Sequence, residues 1–449
     1  MEYKTPDFTK EMIRTHKILI PNMAVTQFKI LAAALEREGY SVELLDNCGS
    51  QVAQLGLKYV HNDTCYPALL VIGQFLDALN SGKYDLDHTA LLITQTGGGC
   101  RASNYIKLLK KALVKAGYGN IPVVSFNFSG LEQGSSLQLN VRLVRKLIAC
   151  LFYGDLISSL RSQVRPYENN PGEADAMSEK WIDTVCSWMK TDRNYSSSAQ
   201  KHHFEEIIAD FASISITRVP KVKVGVVGEI YVKYSPLGNN DLVRFLESQN
   251  CEVNLPGITG FVEYCIINYG ITVDLYGGPK IVSAGANGIL DYFEGIGKVM
   301  NDTLREYGFY APGPFRELMK KPDGIISLGA KMGEGWLLTA EMVELVEDGY
   351  DNIVCAQPFG CLPNHIAGKG MINTIHSLYP EANITPVDYD PSAALVNQQN
   401  RIKLMLAVGE ERLHYGSSRQ EPRKTPAENQ FGLPITGRKV PLTPQEAGI

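Results

Sequence analysis

The sequence predicts an α/β protein of two doubly wound parallel-sheet lobes with a helical segment between them. Two observations predict this. From residue 17 onward, short β-branched runs alternate with helical runs of about 10–15 residues, the signature of parallel βαβ units. The alternation lapses between about 136 and 215, where the chain turns helical and more polar, and then begins again at KVKVGVVGEI. The expected boundaries are a first lobe over 1–135, a helical connecting segment over 136–215, a second lobe over 216–411 and a disordered tail over 412–449.

In the first lobe, HKILIPN reads as a strand, VTQFKILAAALEREG as a helix and YSVELL as a strand. CYPALLVIGQFLDALNSG is helical, with Leu69, Ile72, Phe75, Leu76 and Leu79 on one face, Pro67 in the first turn and Gly82 beyond the end. TALLITQ is a strand, RASNYIKLLKKALVKAG a helix and IPVVSFNF a strand. In the connecting segment, NNPGEADA and TDRNYSSSAQ are the breaks. The second lobe opens with the strand KVKVGVVGEI, the helix NNDLVRFLESQ and the short strand CEVNLPG. A helical stretch around 285–308 follows, then GIISLG, a helix near 336–348, NIVCAQ, a helix after Pro363, NITPVDY and a last helix near 392–407. The tail is rich in Pro, Gly and charge, a composition that orders only on a partner or serves as a tether.

Composition excludes several classes. A chain of 449 residues with 44% hydrophobic and 20% charged residues is an ordinary globular protein with room for two or three domains. A net charge of −5 and the lack of a Lys/Arg cluster argue against a nucleic-acid backbone track. No run of about 18 apolar residues is present to span a membrane, and MEYKTPDFTKEM lacks the apolar region of a secretion signal. Nine cysteines without disulfide-framework spacing suit a reducing cytoplasm.

Three of those cysteines occupy equivalent places: Cys65 in HNDTCYPA, Cys100 in TQTGGGCRASN and Cys361 in AQPFGCLPNH. Each lies in a turn-rich loop ahead of a helical pattern, and the last two follow a strand pattern directly. A helix N-terminus favours thiolate over thiol, so three pre-ionised sulfurs suit a soft metal or an iron–sulfur cluster. Ligands of open parallel sheets bind at the carboxyl ends of strands, which would put all three in the cleft between the lobes, lined by the loops at 61–66, 97–101 and 357–365. Cys150, Cys186, Cys251 and Cys265 fall in apolar periodic stretches and read as core. Cys48 and Cys355 are intermediate, one in a turn after a strand and one at a strand end.

Other chemistry is missing. No G-x-x-x-x-G-K-[ST] loop occurs; the nearest approach, around Gly368, Lys369 and Gly370, lacks the leading glycine and the hydroxyl. No G-x-G-x-x-G follows the first strand of either lobe, and neither a zinc ribbon nor a G-x-S-x-G elbow is present. The glycines of SAGANG and LGAKMGEG read as turns, and His61 and His365 as loop histidines flanking the cysteines.

At these same loops the chain resembles the 2-hydroxyacyl-CoA dehydratase superfamily, which includes benzoyl-CoA reductases and double-cubane cluster proteins. The strings that carry the resemblance are GLKYVHNDTCYPALLVIGQF, TQTGGGCRASNY, GEIYVKYSPLGNND and CAQPFGCLPNHIAGKGM with NITPVDYDPSAALVNQQNRIKLML. It runs from about residue 17 to 407, and the modules related to the acyl-CoA dehydratase activase are the most similar subgroup. The resemblance implies two flavodoxin-like lobes with an iron–sulfur cluster between them. It implies Cys65, Cys100 and Cys361 as ligands of a [4Fe–4S] cube with one iron left open, and low-potential electrons from a separate ATP-hydrolysing activator. Cys48 and Cys355 would bring the thiol count to five, which keeps a double-cubane cluster open.

The expected function is therefore a lyase or oxidoreductase of anaerobic metabolism that performs a radical dehydration or reduction, on an acyl-CoA or another small molecule. No nucleotide is expected on this chain, and a dimer is expected to be possible. The rival readings are a non-catalytic accessory or electron-relay subunit that holds a cluster, and a cluster-free α/β binding protein.

Overall fold

The computed structural model describes residues 3–61, 63–95, 100–127, 137, 140–191 and 197–415. Among the described residues, eight strands form two four-stranded sheets, each parallel throughout. β1 (Lys17–Ile20), β2 (Ser41–Leu44), β3 (Thr89–Gln95) and β4 (Val123–Asn127) lie in the order β2-β1-β3-β4. β5 (Val222–Gly228), β6 (Cys251–Asn254), β7 (Asn352–Pro358) and β8 (Asn383–Tyr389) lie in the order β6-β5-β7-β8. The second sheet repeats the winding of the first, the flavodoxin-like order in which the strand sequence reverses between its first and third members.

Strand periodicity sorts the core into layers. In β3, Leu91 and Ile93 face one apolar cluster while Ala90 and Leu92 face another. In β7, Val354 and Ala356 face the same cluster as Leu91, and Ile353 and Cys355 face the opposite layer. One apolar core thus joins the two lobes. At its centre is the helix Tyr66–Asn80, buried along nearly its whole length rather than on one face. Its close neighbour is the helix Ser50–Tyr59, where a Cβ on Gly56 would lie 2.1 Å from the Leu69 carbonyl oxygen, and one on Gly73 2.0 Å from that of Val52. Only glycine permits this backbone-to-backbone crossing.

The connecting segment is a packing element in its own right. Its helices Val141–Val164, Glu173–Lys190 and Ser197–Ala212 bury Phe152, Trp181, Phe204 and Phe211 against Ile30 and Ala34 from the first lobe. Phe293, Ile296, Met300 and Leu304 of the helix Lys280–Glu306 complete that cluster. Asp155 pins this layer to the second lobe. Its carboxylate accepts from the Ile258 amide (3.1 Å), the Thr259 amide (2.8 Å) and hydroxyl (2.5 Å), and Gln27 Nε2 (2.7 Å). That is a buried cap on the helix Ile258–Tyr276.

Four local expectations are corrected. The helix Ser50–Tyr59 separates β2 from Cys65, so Cys65 caps a helix and does not end a strand. SAGANG lies inside the helix Lys280–Glu306, because Ala286, Leu290 and Phe293 bury one face at helical spacing and override the glycines. GIISLG forms turns rather than a sheet element, with Gly324 at φ +78°. The last helix runs to Tyr415, beyond the expected start of the tail. Residues 416–449 and 97–99 lie outside the described residues.

Candidate functional site

The loop after β7 leaves the switch point of the second sheet and meets the N-terminus of the helix Tyr66–Asn80, and Glu229 after β5 and Cys100 both act on the Cys65 sulfur. The Tyr66 amide donates to the Phe359 carbonyl across the lobes at 2.9 Å. A Cβ on Gly360 would lie 3.2 Å from the Cys65 Cα, so the strands of loop beside Cys65 and Cys361 touch. Ser235 Oγ, just past the helix Ile230–Tyr234, donates to the Asn22 carbonyl in the loop after β1 at 3.5 Å.

Each cysteine is placed by its own turn. Cys65 is buried at the N-cap of its helix, its side chain free of any capping bond, and its sulfur lies 3.0 Å from the Tyr105 hydroxyl. Cys100 is half-buried and opens the short turn Arg101–Asn104, whose Ser103 hydroxyl donates to the Cys100 carbonyl at 2.8 Å. Cys361 is half-buried, and its carbonyl accepts from the His365 amide at 3.1 Å, entering the π-type turn Asn364–Gly368. Such wide turns recur where a helix gives up regularity to aim a functional group. Fully buried Asn364 anchors the turn by donating to the Ala356 carbonyl at 3.2 Å.

Two carboxylates stand behind the thiols. Glu229 directly follows β5 and caps the helix Ile230–Tyr234, accepting from the Val232 amide at 2.9 Å. Glu334 Oε1 accepts from the neighbouring Ile230 amide at 3.0 Å. Both are buried, and burial together with the Glu334 carboxylate lifts Glu229 to about 8, while burial lifts Glu334 in the same direction. Deeper still, Lys233 grips both oxygens of Glu341 at 2.8 and 2.9 Å.

This environment reverses the expectation of pre-ionised sulfurs. Burial pushes the Cys65 thiol up to about 11, against the lowering pull of the Tyr105 hydrogen bond. Burial also raises Cys100 and Cys361, and the fields of Glu334 and Glu229 add to the rise. The sulfurs also raise one another, Cys100 acting on Cys65 and Cys65 on Cys361. Desolvation, with the carboxylate fields added, acts against ionisation of these sulfurs, and a bound cation would act in the opposite direction.

The remaining expected residues fall elsewhere. Cys48 is exposed in the turn after β2. Cys355 is in the interior of β7, on the layer facing away from the inter-lobe core, its sulfur 3.8 Å from Asn364 Oδ1. Cys150 and Cys251 are buried, and Cys186 and Cys265 pack at the edges of apolar clusters. His365 Nδ1 pairs with the Gln357 amide, and His61 stays exposed, 3.3 Å from Asp63. Sequence reasoning missed Tyr105, Glu229 and Glu334. Glu229 left a signal, since it is a carboxylate directly after the apolar run VKVGVVG, where sheet ligands bind.

Three soft sulfurs suit zinc or iron–sulfur chemistry better than a hard cation. Among the described residues, no three His, Cys, Asp or Glu side chains are gathered closely enough for a single ion. A cube spaces its cysteine sulfurs roughly 6–7 Å apart, against about 4 Å around one tetrahedral ion. Compared with known proteins, the chain matches no family model and no curated relative.

Proposed function

We propose that this protein is an iron–sulfur protein of the 2-hydroxyacyl-CoA dehydratase type, with a [4Fe–4S] cluster held by Cys65, Cys100 and Cys361. The observation that carries this reading is the inter-lobe bond from the Tyr66 amide to the Phe359 carbonyl, which brings the Cys65 loop and the Cys361 loop together. The mutual electrostatic influence of Cys100 on Cys65 and of Cys65 on Cys361 supports the same reading, since it puts the sulfurs in one neighbourhood. A bound cluster would supply one-electron chemistry at low potential and an open iron for a substrate oxygen. The chain's own residues hold Cys65 buried and Cys100 and Cys361 half-buried, with the buried side chains of Glu229 and Glu334 near enough to act on them electrostatically.

Electrons would come from a separate ATP-dependent activator, since the sequence carries no phosphate-binding loop. Phe359, Leu362 and Ile366 support that part of the reading. They flank Cys361 and stay exposed, an apolar rim of the kind that partner proteins cover. The substrate class is an acyl-CoA thioester, dehydrated or reduced by a radical route. The test is anaerobic purification with iron and sulfide counting and EPR. About four irons and four sulfides per chain are expected for one cube, and a colourless, iron-free protein would leave only a cluster-free binding protein. Turnover that requires the activator separates an enzyme from an electron-relay subunit.

A further inference from the structure

Tyr105 is partly buried, packed against the inter-lobe apolar core, and its hydroxyl lies 3.0 Å from the Cys65 sulfur. It begins the helix Tyr105–Ala116, one residue past the turn that Cys100 opens, so one side chain ties the loops of two of the proposed ligands together. In the free protein either partner of this contact can donate, because thiol and phenol both carry a proton. A sulfur bound to iron has no proton to give, so across this 3.0 Å contact the phenol O–H is then the donor and the sulfur the acceptor.

We propose that the Tyr105 hydroxyl donates a hydrogen bond to the Cys65 sulfur when that sulfur ligates the cluster, and that this bond raises the cluster's reduction potential. The inference rests on the cluster reading above. Adding an electron puts more negative charge on the sulfurs, and a fixed donor beside one of them stabilises the reduced state more than the oxidised state. Tyr105 is thus a positioning and tuning residue. Its effect reaches substrate only through Cys65.

The experiment is a redox titration followed by EPR on anaerobic protein, with iron and sulfide counted in every sample. Tyr105→Phe removes only the oxygen. It is expected to keep its iron and to disfavour reduction about tenfold, a downward shift of about 59 mV for one electron. 3-Fluorotyrosine placed at position 105 by amber suppression is a stronger donor of nearly the same shape and is expected to shift the potential upward. Opposite shifts from the two samples cannot come from packing. Cluster-bearing samples that all share one potential would overturn the inference and leave the cluster reading standing. Loss of iron in the Phe variant, with an unchanged potential in the fluorinated sample, would reduce Tyr105 to a packing residue. A wild-type chain without iron would overturn both readings.

Discussion

The amide of Tyr66 and the carbonyl of Phe359 meet at 2.9 Å, and through them the helix that Cys65 caps is bonded to the loop that carries Cys361. The adjacent Gly360 has φ +74°, and a Cβ there would press on the Cys65 Cα at 3.2 Å. Gly360→Val is therefore expected to separate the two loops. The strained backbone costs about 1–3 kcal/mol, and iron content should fall well below wild type while the circular dichroism of the fold persists. Iron per chain and a thermal melt check this, and a variant with full iron would show that the loop contact does not set the site.

Single cysteine replacements separate ligands from core. Cys100→Ala and Cys361→Ala lie in loops outside the apolar clusters, so iron and activity should be lost together with the fold intact. Cys150→Ala truncates a fully buried side chain in the helical core and should keep its iron, with a loss of ~1–2 kcal/mol in urea unfolding. Full iron in Cys100→Ala would remove that residue from the ligand set.

Glu263 gives a pH signature. Burial, then the carboxylates of Glu294 and Asp155, lift it from 4.5 to about 8. The folded state therefore holds a proton that the unfolded chain releases near 4.5, so the stability linked to Glu263 is present below about pH 4.5 and is lost as pH rises to about 8. Glu263→Gln removes that loss. The variant and wild type should be nearly equal at pH 4.5, and the variant should be more stable by on the order of a few kcal/mol at pH 8. Urea midpoints at the two pH values test this, and a constant difference would place the effect in packing.

The chain carries no phosphate-binding loop, and isothermal titration of the isolated protein with Mg-ATP is expected to show no binding at micromolar concentration. A measurable affinity would count against the proposal that a separate activator supplies the nucleotide chemistry.

The period-2 and period-3.6 patterns carried most of the fold in the sequence, because each strand is short, apolar and followed by a helix. Ser50–Tyr59 escaped this reading since its defining contact, Gly56 on Leu69, is tertiary. Strand-like apolar content misled at GIISLG, where Gly324 and the following turns prevent an extended segment. The place of Cys361 after β7 was legible as a sheet end, whereas Cys65 reaches that loop from a helix N-terminus by a tertiary contact. The electrostatics were not legible, because Glu229 and Glu334 are more than a hundred residues apart in sequence and meet only through the Ile230 amide. Helix-end reasoning is local, whereas desolvation is a property of the assembled site.

The helical layer has a consequence for how the protein is made. Phe152, Trp181 and Phe204 leave the ribosome well before Phe293, Ile296 and Met300, the residues that close their cluster. Until about residue 304 has been synthesised, the nascent first half presents an uncovered apolar helix face, so it cannot complete folding as an autonomous unit. Truncation between the lobes would freeze that vulnerable intermediate, and expression of the first half alone is a route to aggregation rather than to a miniature of the protein.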